Sequence, residues 1–135
     1  MAEGRIARLL LDAARRDEQA FRALAALPAM NDMVIGFHAH QSVEKALKAV
    51  LAHGGITFRR THDIAELLDL LSDAGRALPS NADRLDELNP YAVEARYGFI
   101  EPVGLDREAT TLMVVTVVAW AENLLSEPAS PDARK

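Results

Sequence analysis

There is no cysteine in this 135-residue chain, which excludes a disulfide framework, a thiolate zinc site and a thiol nucleophile. Aromatic residues make up only 5%, with a single Trp, and there are four His, so few groups are present for redox or aromatic-cage chemistry. No uncharged run approaches the roughly 20 residues that cross a bilayer. Residues 1–19 contain neither an uninterrupted apolar stretch nor a small-residue cleavage site, so the expectation is a soluble cytoplasmic protein with no membrane partner. Basic residues are the minority, 15 Lys+Arg against 20 Asp+Glu. The shortfall is local: residues 1–60 hold nine basic and six acidic side chains, and residues 61–135 hold six and fourteen, or +3 and −8. A basic surface on the first half is therefore compatible with the acidic total. At this length one core can bury roughly two-thirds of the surface that the unfolded chain exposes, so no structural metal is required.

What is present reads as helix throughout. A first helix is expected over about Glu3 to Leu27, with Ile6, Leu9, Leu10, Ala13, Phe21 and Leu24 as its apolar positions and Arg8, Arg15 and Arg22 at heptad spacing on another face. Pro28 ends it, and Asn31 or Asp32 caps a second helix that runs to His53, stopped by Gly54-Gly55. Asp63 and Glu66 stand in capping-box spacing ahead of a third helix closed by Gly75. Ser80 or Asn81 caps a short helix to about Leu88, and Asn89-Pro90 starts another reaching Arg96. The last helix follows Asp106 and extends to about Leu125. Its stretch from Ala109 to Ala121 contains no charge, so burial on most sides is expected, in the core of the bundle and, for the part near Met113, Val117 and Trp120, also at a homodimer interface. Residues 1–127 form one domain in this reading, and residues 128–135 a flexible tail.

Chemistry is concentrated in the second helix. At 100° per residue Gln41, Glu44, Lys45 and Lys48 fall on one narrow arc, opposite Val43, Ala46, Leu47 and Val50. One reading is a solvated stripe with a Glu44 to Lys48 pair at i,i+4. Val34, Phe37 and Leu51 lie along the same arc, which points instead to a partly enclosed stripe. His38 and His40 project away from each other, and His40 with Glu44 gives only two candidate ligands, so neither a metal nor any other cofactor is expected.

The runs AHQSVEKALKAVLAHGG, RTHDIAELLDLL and NPYAVEARYGF together resemble the HEPN domain family. The matching positions are Gln41, Glu44-Lys45 and Lys48, then Thr61-His62-Asp63, then Arg96-Tyr97, and the resemblance spans roughly residues 5–126. It implies an all-α, antiparallel bundle of five or six helices like the substrate-binding subunits of nucleotidyltransferases. It also implies homodimerisation, nucleotide or RNA binding, and a minimal nucleotidyltransferase partner in a toxin–antitoxin or defence-type pair. Many members of the family are metal-independent ribonucleases whose active site is an Arg followed four to six residues later by His. Here that pattern is missing: positions 101–103, where Arg96 would require it, hold Glu101, Pro102 and Val103.

The ligand-binding residues expected on this basis are Gln41, Glu44, Lys45, Lys48, His62, Asp63, Arg96 and Tyr97. Lys45 and Lys48 would meet phosphates, Gln41 and Arg96 would orient the ligand, and Tyr97 or Phe99 would stack on a base. Two alternatives stand beside it. A ribonuclease would use Arg96 and His62 in an unusual arrangement. A structural adaptor would use the same groups as a partly buried network joining three helices, with Glu44 and Asp63 holding Arg96 and His62, and Lys48 tied to Glu44.

Overall fold

The computed structural model describes residues 2–92 and 104–127, among which every regular element is helical. Four α-helices are present: α1 (Ala2–Ala25), α2 (Asp32–His53), α3 (Ile64–Asp73) and α4 (Arg107–Ser126). A 3-10 helix, Ala82–Tyr91, lies between α3 and α4. The expected turn beyond Tyr91, including Arg96 and Tyr97, and the expected tail fall outside the described residues.

The long pair α1 and α2 forms an antiparallel hairpin, and small side chains set how closely the two helices approach. Ala7 and Ala14 of α1 and Ala39, Ser42, Ala46 and Ala49 of α2 are all buried. Ser42 Oγ donates to the Ala14 carbonyl at 2.9 Å, so its hydroxyl is satisfied inside the core. The face of α1 that packs is Ala7, Leu11, Ala14 and Phe21. This corrects part of the sequence expectation: Ile6 and Leu9 are 49% and 59% exposed, because the packed stripe runs through Ala7, Leu11 and Ala14 to Phe21 and those two residues sit beside it.

Asn31 caps α2 by accepting from the Met33 amide at 2.6 Å. Gly55, at φ 71, takes the left-handed conformation that turns the chain away from α2. Asp63 caps α3 through the Ala65 amide. Glu66 does not complete the expected capping box; it is held by both Arg59 Nε and Nη2, at 2.8 and 2.7 Å. Thr61 Oγ1 accepts from the Asp63 amide in its place.

Between α3 and α4 the sequence suggests two short helices, whereas Ala82–Tyr91 is continuous, with Pro90 inside it. Its buried residues, Leu85, Leu88 and Tyr91, are spaced by three, which three residues per turn places on one line facing the core. Neither Asn81 nor Asn89 is a cap by its side chain. Asn81 Nδ2 donates to the Met113 carbonyl, and Asn89 serves α3. Tyr91 lies flat on α2: a Cβ at Gly36 would come within 2.1 Å of its ring, so only glycine permits the approach.

Asp106 caps α4 through the Ala109 amide at 3.0 Å. Val114, Val117 and Val118 pack in the core, so burial overrides the strand preference of the valine-rich run. By length and composition α4 is apolar enough to cross a membrane, but it packs against α1 and α2. Met113 and Val117 are core residues, as the uncharged run of α4 leads one to expect, and Trp120 packs against the core from a half-buried position with its Nε1 donating to the Ala77 carbonyl.

Candidate functional site

The expected stripe on α2 divides into two clusters. On the side facing α1, Lys45 Nζ meets Asp17 Oδ2 at 2.7 Å, and His38 Nδ1 lies 3.7 Å from the same carboxyl group. Gln41 is half-buried on that side and makes no side-chain hydrogen bond to the described residues. On the other side Glu44 and Lys48 face the turn that enters α3. Glu44 is only 3% exposed, and both of its oxygens are occupied: Oε2 accepts from Lys48 Nζ at 2.8 Å and Oε1 from His62 Nδ1 at 2.9 Å. Lys48 Nζ also lies 5.8 Å from the centre of the Phe58 ring.

His40 completes the second cluster and is the residue that the sequence reading set aside. Its ring is fully buried, and Nε2 lies 2.8 Å from the His62 carbonyl. A carbonyl only accepts, so the neutral ring carries its proton on Nε2. Among the described residues Nδ1 finds no hydrogen-bond partner, and it lies 3.7 Å from Glu44 Oε1. Burial pushes the His40 pKa below its ordinary 6.5, and the nearby Glu44 carboxylate opposes that shift without reversing it.

The turn itself is tied on its α3 side. Asn89 Nδ2 donates to Asp63 Oδ1, and Asn89 Oδ1 accepts from the Ile64 amide, both at 3.1 Å. Thr61 is buried, whereas His62 is exposed at the apex. The His62 side chain is 52% exposed, and its Nε2 has no partner among the described residues. An imidazole whose Nδ1–H is donated to a carboxylate presents an Nε2 lone pair outward, ready to accept a proton or, once protonated, to donate to an anion.

Glu44, Lys48, His62 and Asp63 are thus brought together, and Gln41 and Lys45 occupy the adjoining face of α2. Asp63 holds Asn89, and Arg96 and Tyr97 lie outside the described residues. Sequence reasoning missed His40, Asp17 and Asn89. The i,i+4 step from His40 to Glu44 was the one available signal, but its meaning depends on a turn 22 residues further on. Among the described residues no group of three His, Asp or Glu has metal-site geometry. The Arg8, Arg15, Arg22 stripe is largely tied to acids: Arg15 meets Glu122 and Asp12, and Arg22 meets Glu18. The clefts on the α3 and 3-10 side include none of the α2 stripe residues.

The family model for the HEPN domain matches residues 7–127. No curated protein and no solved structure matches the chain.

Proposed function

The chain belongs to the HEPN domain family, and from that membership we propose that it is a nucleotide- or nucleic-acid-binding module. The partnered form of this reading is a homodimer working with a minimal nucleotidyltransferase in a cytoplasmic toxin–antitoxin or defence-type pair. The observation that carries the binding proposal is the exposed His62 imidazole held by buried Glu44 beside Lys48. In this reading one phosphate meets His62, whose Glu44 partner is neutralised by Lys48, and the half-buried Lys45 on the α1-facing side of the stripe meets a second. The Asp17–Lys45 pair must open for Lys45 to take part.

Heat-denaturation scans with ATP, other nucleotides and short single-stranded RNA test the proposal. A ligand should raise the melting temperature, and His62→Ala with Lys45→Ala should abolish the shift while leaving the unliganded protein folded. No shift with any of these ligands, or an unchanged shift in the double variant, rejects the site. Lys48→Ala is the weaker probe, because it also strands a buried carboxylate.

The Glu44–His62 pair favours a second reading, metal-independent RNA cleavage with His62 Nε2 as the acid or base. Cleavage of single-stranded RNA in EDTA should then vanish in both His62→Ala and Glu44→Gln. Activity that survives either substitution removes this reading.

A further inference from the structure

We infer that His40 is the positioning residue of the His62 site: it fixes the backbone that presents the His62 imidazole and so sets which ring nitrogen faces the ligand. The inference rests on the reading of His62 as a ligand contact. His40, Glu44 and Lys48 lie at successive turns of α2, where i and i+4 side chains are neighbours on one face. Two of these turns hold the same distant residue. His40 Nε2 grips the His62 main-chain carbonyl at 2.8 Å, and Glu44 Oε1 grips its Nδ1 at 2.9 Å. The third, Lys48, occupies the remaining Glu44 oxygen at 2.8 Å.

A two-point grip restricts His62 more than either contact does alone. With its carbonyl anchored, the residue can turn only about a few side-chain bonds. Glu44 then selects the rotamer and the Nδ1–H tautomer, leaving Nε2 outward. Released from His40, the turn would keep its Asn89 ties to Asp63 and Ile64, but no other described group would hold the His62 carbonyl. The ring would then sample orientations in which either nitrogen bears the proton. His40 contacts no ligand in this arrangement; it acts through His62. Its complete burial and neutral ring suit that task, because a hydrogen bond sealed from water persists while the exposed imidazole exchanges protons.

The test is nitrogen-15 NMR of the histidine rings in the full chain. In the unaltered protein His40 should be the Nε2–H tautomer and His62 predominantly Nδ1–H. In His40→Leu the His62 ring should become a tautomer mixture. In His40→Gln, whose amide can donate to the same carbonyl, the Nδ1–H form should return. Affinity for ATP or short single-stranded RNA should fall roughly tenfold in His40→Leu and recover in His40→Gln. A folded His40→Leu whose His62 ring signals do not move overturns the inference. So does an unaltered protein in which His40 carries its proton on Nδ1, a measurement that needs no variant to fold. If the His62 tautomer shifts as expected while no nucleotide or RNA binds to any form, His40 keeps its positioning role and the binding reading fails instead.

Discussion

At position 44 a carboxylate is almost wholly withdrawn from water, and two basic groups hold it, Lys48 and His62. Such a charge is tolerated only while its partners remain. Lys48→Ala should therefore cost about 3 kcal/mol, because it leaves a buried, half-compensated carboxylate. Lys45→Ala, one turn away, should cost only about 0.5 kcal/mol, since the Asp17–Lys45 pair is reached by solvent. Urea denaturation of the two variants measures the contrast, and equal losses would contradict the burial of Glu44. His40 gives a pH signature. Its pKa is lowered in the folded state, so the unfolded chain binds the extra proton. Stability from this group is then complete above about pH 6.5, the ordinary value, and is lost as pH falls through the lowered folded value. Among the described residues, Glu44 and His62 are the titratable groups facing it. Unfolding free energy measured across that range should slope downward towards acid, and His40→Gln should flatten the slope. A variant slope equal to that of the unaltered protein would assign the effect elsewhere. Glu44, Lys48, His62 and Asp63 were legible from the motifs they share. His40 was not, because helix periodicity records which face a residue occupies and not which loop covers that face.

Helix positions followed from local signals with few errors, since Asn31, Asp63 and Asp106 cap where caps were expected. The packed face of α1 was harder to read. Periodicity weights bulky apolar residues, but the α1–α2 contact also relies on alanines and a serine, which score weakly and still let backbones approach. That difference is testable. Leu11→Ala should destabilise the protein by about 3 kcal/mol, because Leu11 is buried. Leu9→Ala, two residues away and 59% exposed, should change stability by no more than about 0.5 kcal/mol. Thermal melts of the pair suffice, and comparable losses would show that the face is wrongly placed. The 3-10 helix was illegible for a related reason. Leu85, Leu88 and Tyr91 at three-residue steps fit either a tight helix or one edge of an α-helix, and packing of Tyr91 on Gly36 decides between them.

Across the whole molecule one residue joins the ends of three helices. Arg107, the first residue of α4, donates to the carbonyls of Ala25, Leu27 and Met30 at 3.1, 2.8 and 2.6 Å. It also reaches Asp32 Oδ1 at 3.2 and 3.3 Å through Nη2 and Nε, and Asp32 Oδ2 accepts from the Leu105 amide. A planar guanidinium can meet four acceptors at once, and a positive charge beside the C-terminal carbonyls of α1 is favoured by the helix dipole. None of this is visible in the sequence, where Arg107 and Asp32 are 75 residues apart and each has an ordinary local role at a helix start. Arg107→Ala should cost about 2 kcal/mol, the scale of charged hydrogen bonds lost together. Arg107→Lys should recover less than half, because an ammonium cannot span the same acceptors. The stronger test is a double-mutant cycle with Asp32→Ala. If the two residues form one knot, their losses should fall short of additivity by about 1 kcal/mol. Strict additivity in urea denaturation would mean that Arg107 acts on the Ala25, Leu27 and Met30 carbonyls alone, and that Asp32 serves only the Leu105 amide.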